Sequence, residues 1–194
     1  MIIKKQNYLK HAIVLFLLLL LMQPERALAA YENIEFCSLT NHDGLTNSQV
    51  GAILKDTRGY IWFGTQSGLC RFDGFRMKTF YYSNTDDKSL PNNSVDELQQ
   101  DYDGNIWVHT SVGYSIYKYD EEQFDRKPEE LLKDIHVQGP PYKLLIDKDK
   151  NMWIAVYGQG LYYHNAKTRN TYLFKFTKKA QPGCLKEGNI SKIT

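Results

Sequence analysis

The chain has 194 residues, enough for one or two domains, and its 24 Lys and Arg residues nearly balance 22 Asp and Glu residues. This balance gives no basic patch of the kind that binds nucleic acid or anionic lipid, so we expect neither partner for this segment. Cys37, Cys70 and Cys184 form neither a zinc-binding spacing nor a disulfide framework, and an odd number leaves at least one thiol unpaired within the chain.

The amino terminus has the features of a secretory signal peptide. Three lysines precede an eleven-residue apolar run over residues 12–22, and Ala27 and Ala29 supply the small residues of a cleavage site. A retained membrane anchor is the alternative, but the run is shorter than the roughly 20 residues that a spanning helix needs. We therefore predict a signal peptide over residues 1–29. Its removal takes away four basic residues and one acidic residue, which leaves 20 basic and 21 acidic residues in the exported part.

One sequence pattern occurs three times in residues 30–194. The copies read DTRGYIWFGTQSGLCRFDG from Asp56, DYDGNIWVHTSVGYSIYKYD from Asp101 and DKDKNMWIAVYGQGLYYHN from Asp147. Their tryptophans are 45 and 46 residues apart. The third copy is the most altered, because Lys150 stands where the first two copies have a turn glycine. Val50 and Val95 stand twelve residues before the first two tryptophans, and Ile190 matches them, so we predict that a fourth unit begins within residues 185–194.

The first copy predicts four short β-strands in chain order, over residues 49–55, 60–64, 69–72 and 76–82. Asp and Gly residues separate them, since Asp bonds to nearby backbone in turns and Gly tolerates a positive φ. Short strands bounded by turn residues about every ten positions are typical of an all-β protein.

A period of about 45 residues with four strands is that of a β-propeller blade, whereas a β-sandwich gives no reason for such a repeat. We predict three four-stranded blades over about residues 45–88, 90–134 and 137–180, plus the first strand of a fourth within 185–194. Five repeat positions are predicted to serve blade packing, with a sugar-stacking role for the tryptophans as the alternative: Trp62, Trp107, Trp153, Gly59 and Gly104.

The first copy resembles the two-component regulator propeller repeat. The residues that carry the resemblance are Leu45-Thr46-Asn47, Val50, Ile53, Asp56, Gly59, Ile61-Trp62-Phe63-Gly64-Thr65 and Gly68-Leu69-x-Arg71-Phe72-Asp73. Asn92 matches Asn47 in the second copy, which departs from the pattern with His109 at the glycine after the tryptophan. The similarity extends over about residues 40–194.

The resemblance implies that the chain is an amino-terminal fragment of the periplasmic sensor of a hybrid two-component system. In that family, two propellers of seven blades each precede an immunoglobulin-like domain, an inner-membrane helix, a histidine kinase, a receiver and a DNA-binding domain. It implies an oligosaccharide ligand, a homodimer in the longer protein, and signalling to a kinase and transcription regulator that these residues lack. We expect no catalytic activity, cofactor or metal in the chain itself. Three blades cannot close a propeller, so we expect the remaining blades to belong to the same parent chain.

Two other functions stay open at this point. A secreted glycan-active propeller enzyme would need paired carboxylates or a tyrosine nucleophile, and the Asp-x-x-Gly turns are one residue longer than the Asp-x-Gly turns of sialidases. A non-catalytic interaction propeller is the other. The Asp101-x-Asp103-x-Asn105 segment imitates the start of a calcium loop but lacks the glycine and glutamate that such a loop requires.

Loops between the second and third strands, and the links between blades, are expected to open at one edge of the blades. Tyrosine and amide side chains there would suit a sugar by stacking and hydrogen bonding, although ordinary turn residues are the alternative. The candidate ligand-binding residues are Asn47, Thr65, Gln66, Asn92, His109, Thr110 and Tyr157.

Overall fold

The computed structural model describes residues 38–177 and 185–186, with side chains described over residues 38–175. The predicted signal peptide, Cys37, Cys184 and the strand predicted at Ile190 lie outside the described residues. None of the helices in the described part is long and apolar enough to span a bilayer.

The described residues form three antiparallel four-stranded sheets in which strands follow one another in chain order. The first sheet contains β1 (Val50–Lys55), β2 (Ile61–Thr65), β3 (Gly68–Phe72) and β4 (Met77–Phe80). The second contains β5 (Val95–Gln100), β6 (Ile106–Thr110), β7 (Gly113–Lys118) and β8 (Gln123–Asp125). The third contains β9 (Pro141–Ile146), β10 (Met152–Val156), β11 (Gly160–His164) and β12 (Thr171–Thr177). The predicted all-β fold of three four-stranded blades is confirmed.

The links between blades contain two features that the repeat pattern did not predict. Strand β13 (Leu185–Lys186) adds to the third sheet in parallel beside β12, and Leu90 makes the matching parallel bridge to Tyr82 after the first blade. The second feature is helix α1 (Pro128–Asp134), between the second and third blades. Proline suits its first turn because the missing N–H would be unpaired there in any case.

Helix α1 is followed by a left-handed residue that turns the chain into the third blade. His136 has a φ of 64°, and the backbone N–H of Val137 donates to the carbonyl of Leu132 at 2.9 Å. This is the bonding pattern that commonly closes a helix around a glycine. Leu132 and Val137 are fully buried in the core between the second and third blades, so the helix end is fixed by packing.

Tryptophans occupy the spaces between neighbouring blades. Trp62 is fully buried in a cluster with Leu90 and Val95, and the ring of Tyr117 from the second blade meets it edge-on at 5.0 Å. Trp107 fills the corresponding space before the third blade. Trp153, on the third blade, is only partly buried in the structure as described.

The spacing of six residues between Asp and Trp in each copy has a structural cause. Oδ2 of Asp56 accepts the indole Nε1–H of Trp62 at 2.7 Å, while its Oδ1 accepts backbone N–H groups of Arg58 and Tyr60, both at 2.9 Å. Asp101 binds Trp107 in the same way at 2.9 Å. One carboxylate therefore shapes the turn and satisfies the buried indole, as a buried polar group requires.

The third copy keeps the turn although it has lost the glycine. Lys150 has a φ of 66°, in the left-handed region that Gly59 and Gly104 also occupy. Its Nζ donates to the carbonyl of Gln100 in the second blade at 2.9 Å. The strained backbone at Lys150 is therefore accompanied by a bond between blades that glycine could not make.

His164 is buried between the second and third blades and has a defined tautomer. The hydroxyl of Thr171 donates to the carbonyl of Ile135 at 2.6 Å, so Nδ1 of His164, 2.8 Å from that hydroxyl oxygen, is the donor to it. Nε2 is then unprotonated, and it has no hydrogen-bond partner among the described residues. Burial, together with the charge of Arg169, lowers the pKa of His164 below its usual 6.5.

Stability is expected to fall on mild acidification because of His164. Its pKa is lower in the folded than in the unfolded chain, so its contribution is complete above pH 6.5 and declines as the pH falls below that value. The slope from one such group cannot exceed about 1.4 kcal/mol per pH unit. Urea unfolding between pH 7.5 and about 5.0 should show this decline, and His164→Phe should flatten it, since Phe72 holds the same repeat position. The exposed His42→Gln variant serves as the control, and an unchanged slope in His164→Phe would contradict the assignment.

Candidate functional site

The loops of the three blades lie at two opposite edges, as antiparallel strands in chain order require. Loops after the first and third strands share the edge of the Asp56 turn. The opposite edge carries the loops after the second strands and the links between blades. This Tyr157 edge comprises residues 46–49, 65–68, 91–94, 110–113 and 156–160. The candidate ligand-binding residues lie on it or at the adjoining strand ends.

Thr65 and Thr110 hold turns on the Tyr157 edge. Both are fully buried, and their hydroxyls donate to the carbonyls of Gly68 at 2.8 Å and Gly113 at 3.1 Å. The Thr65 oxygen also accepts the backbone N–H of Ser67 at 3.0 Å. Neither threonine has exposed surface in this structure, so a ligand could meet them only through their turns.

Asn47 and Asn92 shape the links that enter the first and second blades. Their Oδ1 atoms accept backbone N–H groups two residues further on, at 2.7 and 2.8 Å. Both are half-buried. Gln66 is exposed, and its amide oxygen accepts the hydroxyl of Ser94 at 2.9 Å. These three amides therefore order the edge, and Gln66 presents the most surface.

His109 belongs to a polar group that extends from the edge along the first strands. Its Nδ1 lies 2.6 Å from Oδ1 of Asp96, and its ring is 4.4 Å from that of Tyr114. The Tyr114 hydroxyl donates to Glu97 at 3.1 Å, and Glu97 forms an ion pair with Lys143 of the third blade. Burial, followed by the charge of Glu97, raises the pKa of Tyr114, so its hydroxyl stays protonated.

This polar group follows the first strands of the blades, which lie side by side. A cavity of about 310 Å³ runs along them, lined in part by Ile53, Gln99 and Lys143. Gln99 mimics a strand partner there, since its amide donates to the carbonyl of Leu144 at 2.8 Å and accepts the N–H of Ile146 at 2.5 Å. Sequence reasoning missed this arrangement.

Tyr157 is the most exposed aromatic residue of the edge. Two-thirds of its side chain is accessible (67%), and its ring stacks on that of Tyr142 with centroids 4.1 Å apart and planes inclined by 26°. Tyr142 belongs to β9, and sequence reasoning did not single it out. The stacked pair gives a flat aromatic surface that is already held in one orientation, which suits the apolar face of a sugar ring.

Within the described residues, His, Cys, Asp and Glu side chains form no group of three or more that could hold a metal ion. The buried thiol of Cys70 is free, and the hydroxyl of Thr46 lies 3.3 Å from it.

A family model matches the chain within the first two repeat units. The model of the two-component regulator propeller matches residues 44–67 and 89–111. Histidine kinase P4 of Formosa agariphila is 41% identical over 61 residues, which are 31% of this chain and 4% of that protein.

Solved structures similar to this chain include two extracellular domains of hybrid two-component systems from B. thetaiotaomicron. The first has a TM-score of 0.51 and 24% identity, and the alignment covers 72% of this chain and 20% of that one. The second has a TM-score of 0.38 and 18% identity, with 65% and 25% covered. The chain thus spans a small part of each of these three proteins. Residues 44–67 and 89–111 are two-component regulator propeller repeats, and the three blades share the fold of the first of these extracellular domains.

Proposed function

We propose that the chain is a ligand-sensing propeller segment of a hybrid two-component sensor and that it works in the periplasm. The predicted leader would export it, and a longer parent chain would supply the remaining blades, the membrane helix and a histidine kinase that acts on a transcription regulator. In this proposal the segment binds an oligosaccharide and has no catalysis of its own. The parent works as a homodimer, so that binding outside changes the relation between two kinases inside.

The observation that carries the proposal is the stacked pair of Tyr157 and Tyr142 on the Tyr157 edge. Sugars are recognised by an aromatic face together with hydrogen-bonding groups around it, because their rings have apolar faces and polar rims. The edge supplies both, with Gln66 and His109 as the exposed or half-exposed polar groups. Contact between the two rings restricts their motion, which reduces the entropy lost on binding.

Replacing Tyr157 by alanine is expected to weaken oligosaccharide binding at least tenfold, or about 1.4 kcal/mol. The loss follows from removal of the exposed ring, and Tyr157→Phe should retain most of the affinity. Isothermal titration calorimetry of the intact protein against neutral and acidic tri- to hexasaccharides provides the measurement. Tyr172→Ala is the matched control, since Tyr172 is also half-exposed (53%) but lies near the start of β12, at the opposite edge of the third blade. The proposal fails if no oligosaccharide binds, or if Tyr157→Ala binds as the unchanged protein does.

A further inference from the structure

A groove between the third blade and the link that follows helix α1 has the character of a binding site. We call it the rim groove and define it by His136, Gln138, Gln159, Tyr162, Leu173 and Lys175. Its volume is about 620 Å³, within the range of about 300–1,000 Å³ typical of small-molecule sites. Its lining residues belong to the third blade and to the link that precedes it.

Part of the groove is rigid. The Gln159 amide donates to the backbone carbonyl of Gln138 at 2.7 Å and accepts the hydroxyl of Tyr162. These bonds fix the side chains of Gln159 and Tyr162. Tyr162 is almost fully buried and packs with the core between the blades. Its hydroxyl donates a hydrogen bond to Gln159, and the hydroxyl oxygen retains lone pairs that can accept a hydrogen bond from a ligand hydroxyl.

The other polar groups of the groove are free to bind a ligand. Within the described residues the side chains of His136, Gln138 and Lys175 are exposed and take part in no hydrogen bond or ion pair. An amide, an imidazole and an ammonium group therefore line the groove together with a half-buried leucine, Leu173. This combination offers several hydrogen-bond donors and one apolar contact.

The charged side chain that the described residues contribute to the groove is the positive Lys175. Among the described residues no Asp or Glu side chain lines it, and Lys175 has no carboxylate partner there. The other two large cavities differ, because each contains both signs: Lys143 is paired with Glu97 in one, and Lys118 with Asp125 in the other. An exposed ammonium group that lines a groove without a carboxylate partner among the described residues favours a ligand with a negative group.

We propose that the rim groove binds an acidic sugar, with its carboxylate at Lys175 and its hydroxyls at Gln138, Gln159 and Tyr162. Leu173 contacts the apolar face of the ring. This inference rests on the proposed sugar-sensing function and adds a second site to it, selective for charge. With both sites, the chain would distinguish glycans by ring stacking at Tyr157 and by negative charge at Lys175.

The test uses digalacturonic acid and its dimethyl ester, which have the same rings and hydroxyls and differ in charge. Titration calorimetry of the intact protein at low salt should show the acid binding at least tenfold more tightly than the ester. Lys175→Gln should remove that preference and Lys175→Arg should keep it. Lys167→Gln, at another exposed lysine in the third blade, should leave it unchanged. Added sodium chloride should weaken binding of the acid alone, since salt screens exposed charges.

Three outcomes would overturn the inference: neither probe binds, both bind equally, or Lys175→Gln retains the preference for the acid. Its failure is separable from that of the proposed function by the Tyr157→Ala variant. If an oligosaccharide binds in a Tyr157-dependent manner while the Lys175 variants change nothing, the rim groove is not a site although the sensing function stands.

Discussion

Replacement of Trp62 by alanine is expected to lower the free energy of unfolding by about 3–5 kcal/mol, the usual cost of removing a large buried aromatic side chain. Trp62 has no exposed surface. Its ring contacts Phe80 of its own blade and Tyr117 and Tyr119 of the second blade, with centroid distances of 5.9, 5.0 and 6.1 Å. Alanine would leave a cavity between two blades at the position where the repeat pattern is strongest.

Urea unfolding of the intact protein, followed by circular dichroism, measures this loss. Trp62→Phe is the matched variant: it keeps much of the ring but loses the 2.7 Å bond from Nε1 to Asp56. We expect it to cost about 1–3 kcal/mol, the penalty of leaving a buried acceptor short of a partner. The Asp56 carboxylate would still accept Tyr119 and the turn backbone, which limits the effect. A loss below about 1 kcal/mol in Trp62→Ala would show that the tryptophan does not hold the blades together.

The blades could be predicted from sequence because their determinants are local and periodic. Asp56 and Trp62 lie six residues apart and bond directly, and the same pair recurs at Asp101 and Trp107. A pattern that is satisfied within one copy can be read without knowing how copies pack. The third copy has Lys150 in place of the turn glycine, but Asp147 and Trp153 keep the spacing of six residues, so the third blade was recognisable.

The links between blades were less accessible to sequence reasoning. Helix α1 is seven residues long, and His136, two residues after its end, takes a conformation usually adopted by glycine, so no glycine marks the end of the helix. It is held by Leu132 and Val137, which pack against residues of two blades. Such an element depends on tertiary packing, and its local sequence carries only a weak signal.

The candidate site could be predicted only in outline. Strand order placed the chosen residues on one edge, and Tyr157 is exposed there. The orientation of each side chain was not readable: Thr65 points into its own turn, and its hydroxyl is used there. Tyr142 and Lys143 acquire their roles from contacts with a loop and with another blade, which depend on strand register and blade packing.

The largest single loss of stability is expected from Gly160→Ala. Gly160 begins β11 with a φ of +136°, and a Cβ atom added there would lie 2.1 Å from the carbonyl oxygen of Phe174 and 3.1 Å from Cα of Lys175. Both neighbours are backbone atoms of β12, and β12 pairs with the whole length of β11. Relief would require the two strands to separate, so the expected loss exceeds about 4 kcal/mol, a range reserved for specific structural disruptions.

Gly113→Ala is the matched control for this prediction. Gly113 holds the same position in the second blade with a φ of +117°, but an added Cβ would meet no atom within 4 Å. The control therefore isolates the strain of a positive φ in a residue with a side chain, about 1–3 kcal/mol. Thermal or urea unfolding of the two variants should differ by the cost of the clash at Phe174. If the two substitutions cost the same, the close approach of β12 to β11 is wrong, and the third blade must be more open at the end where it borders the rim groove.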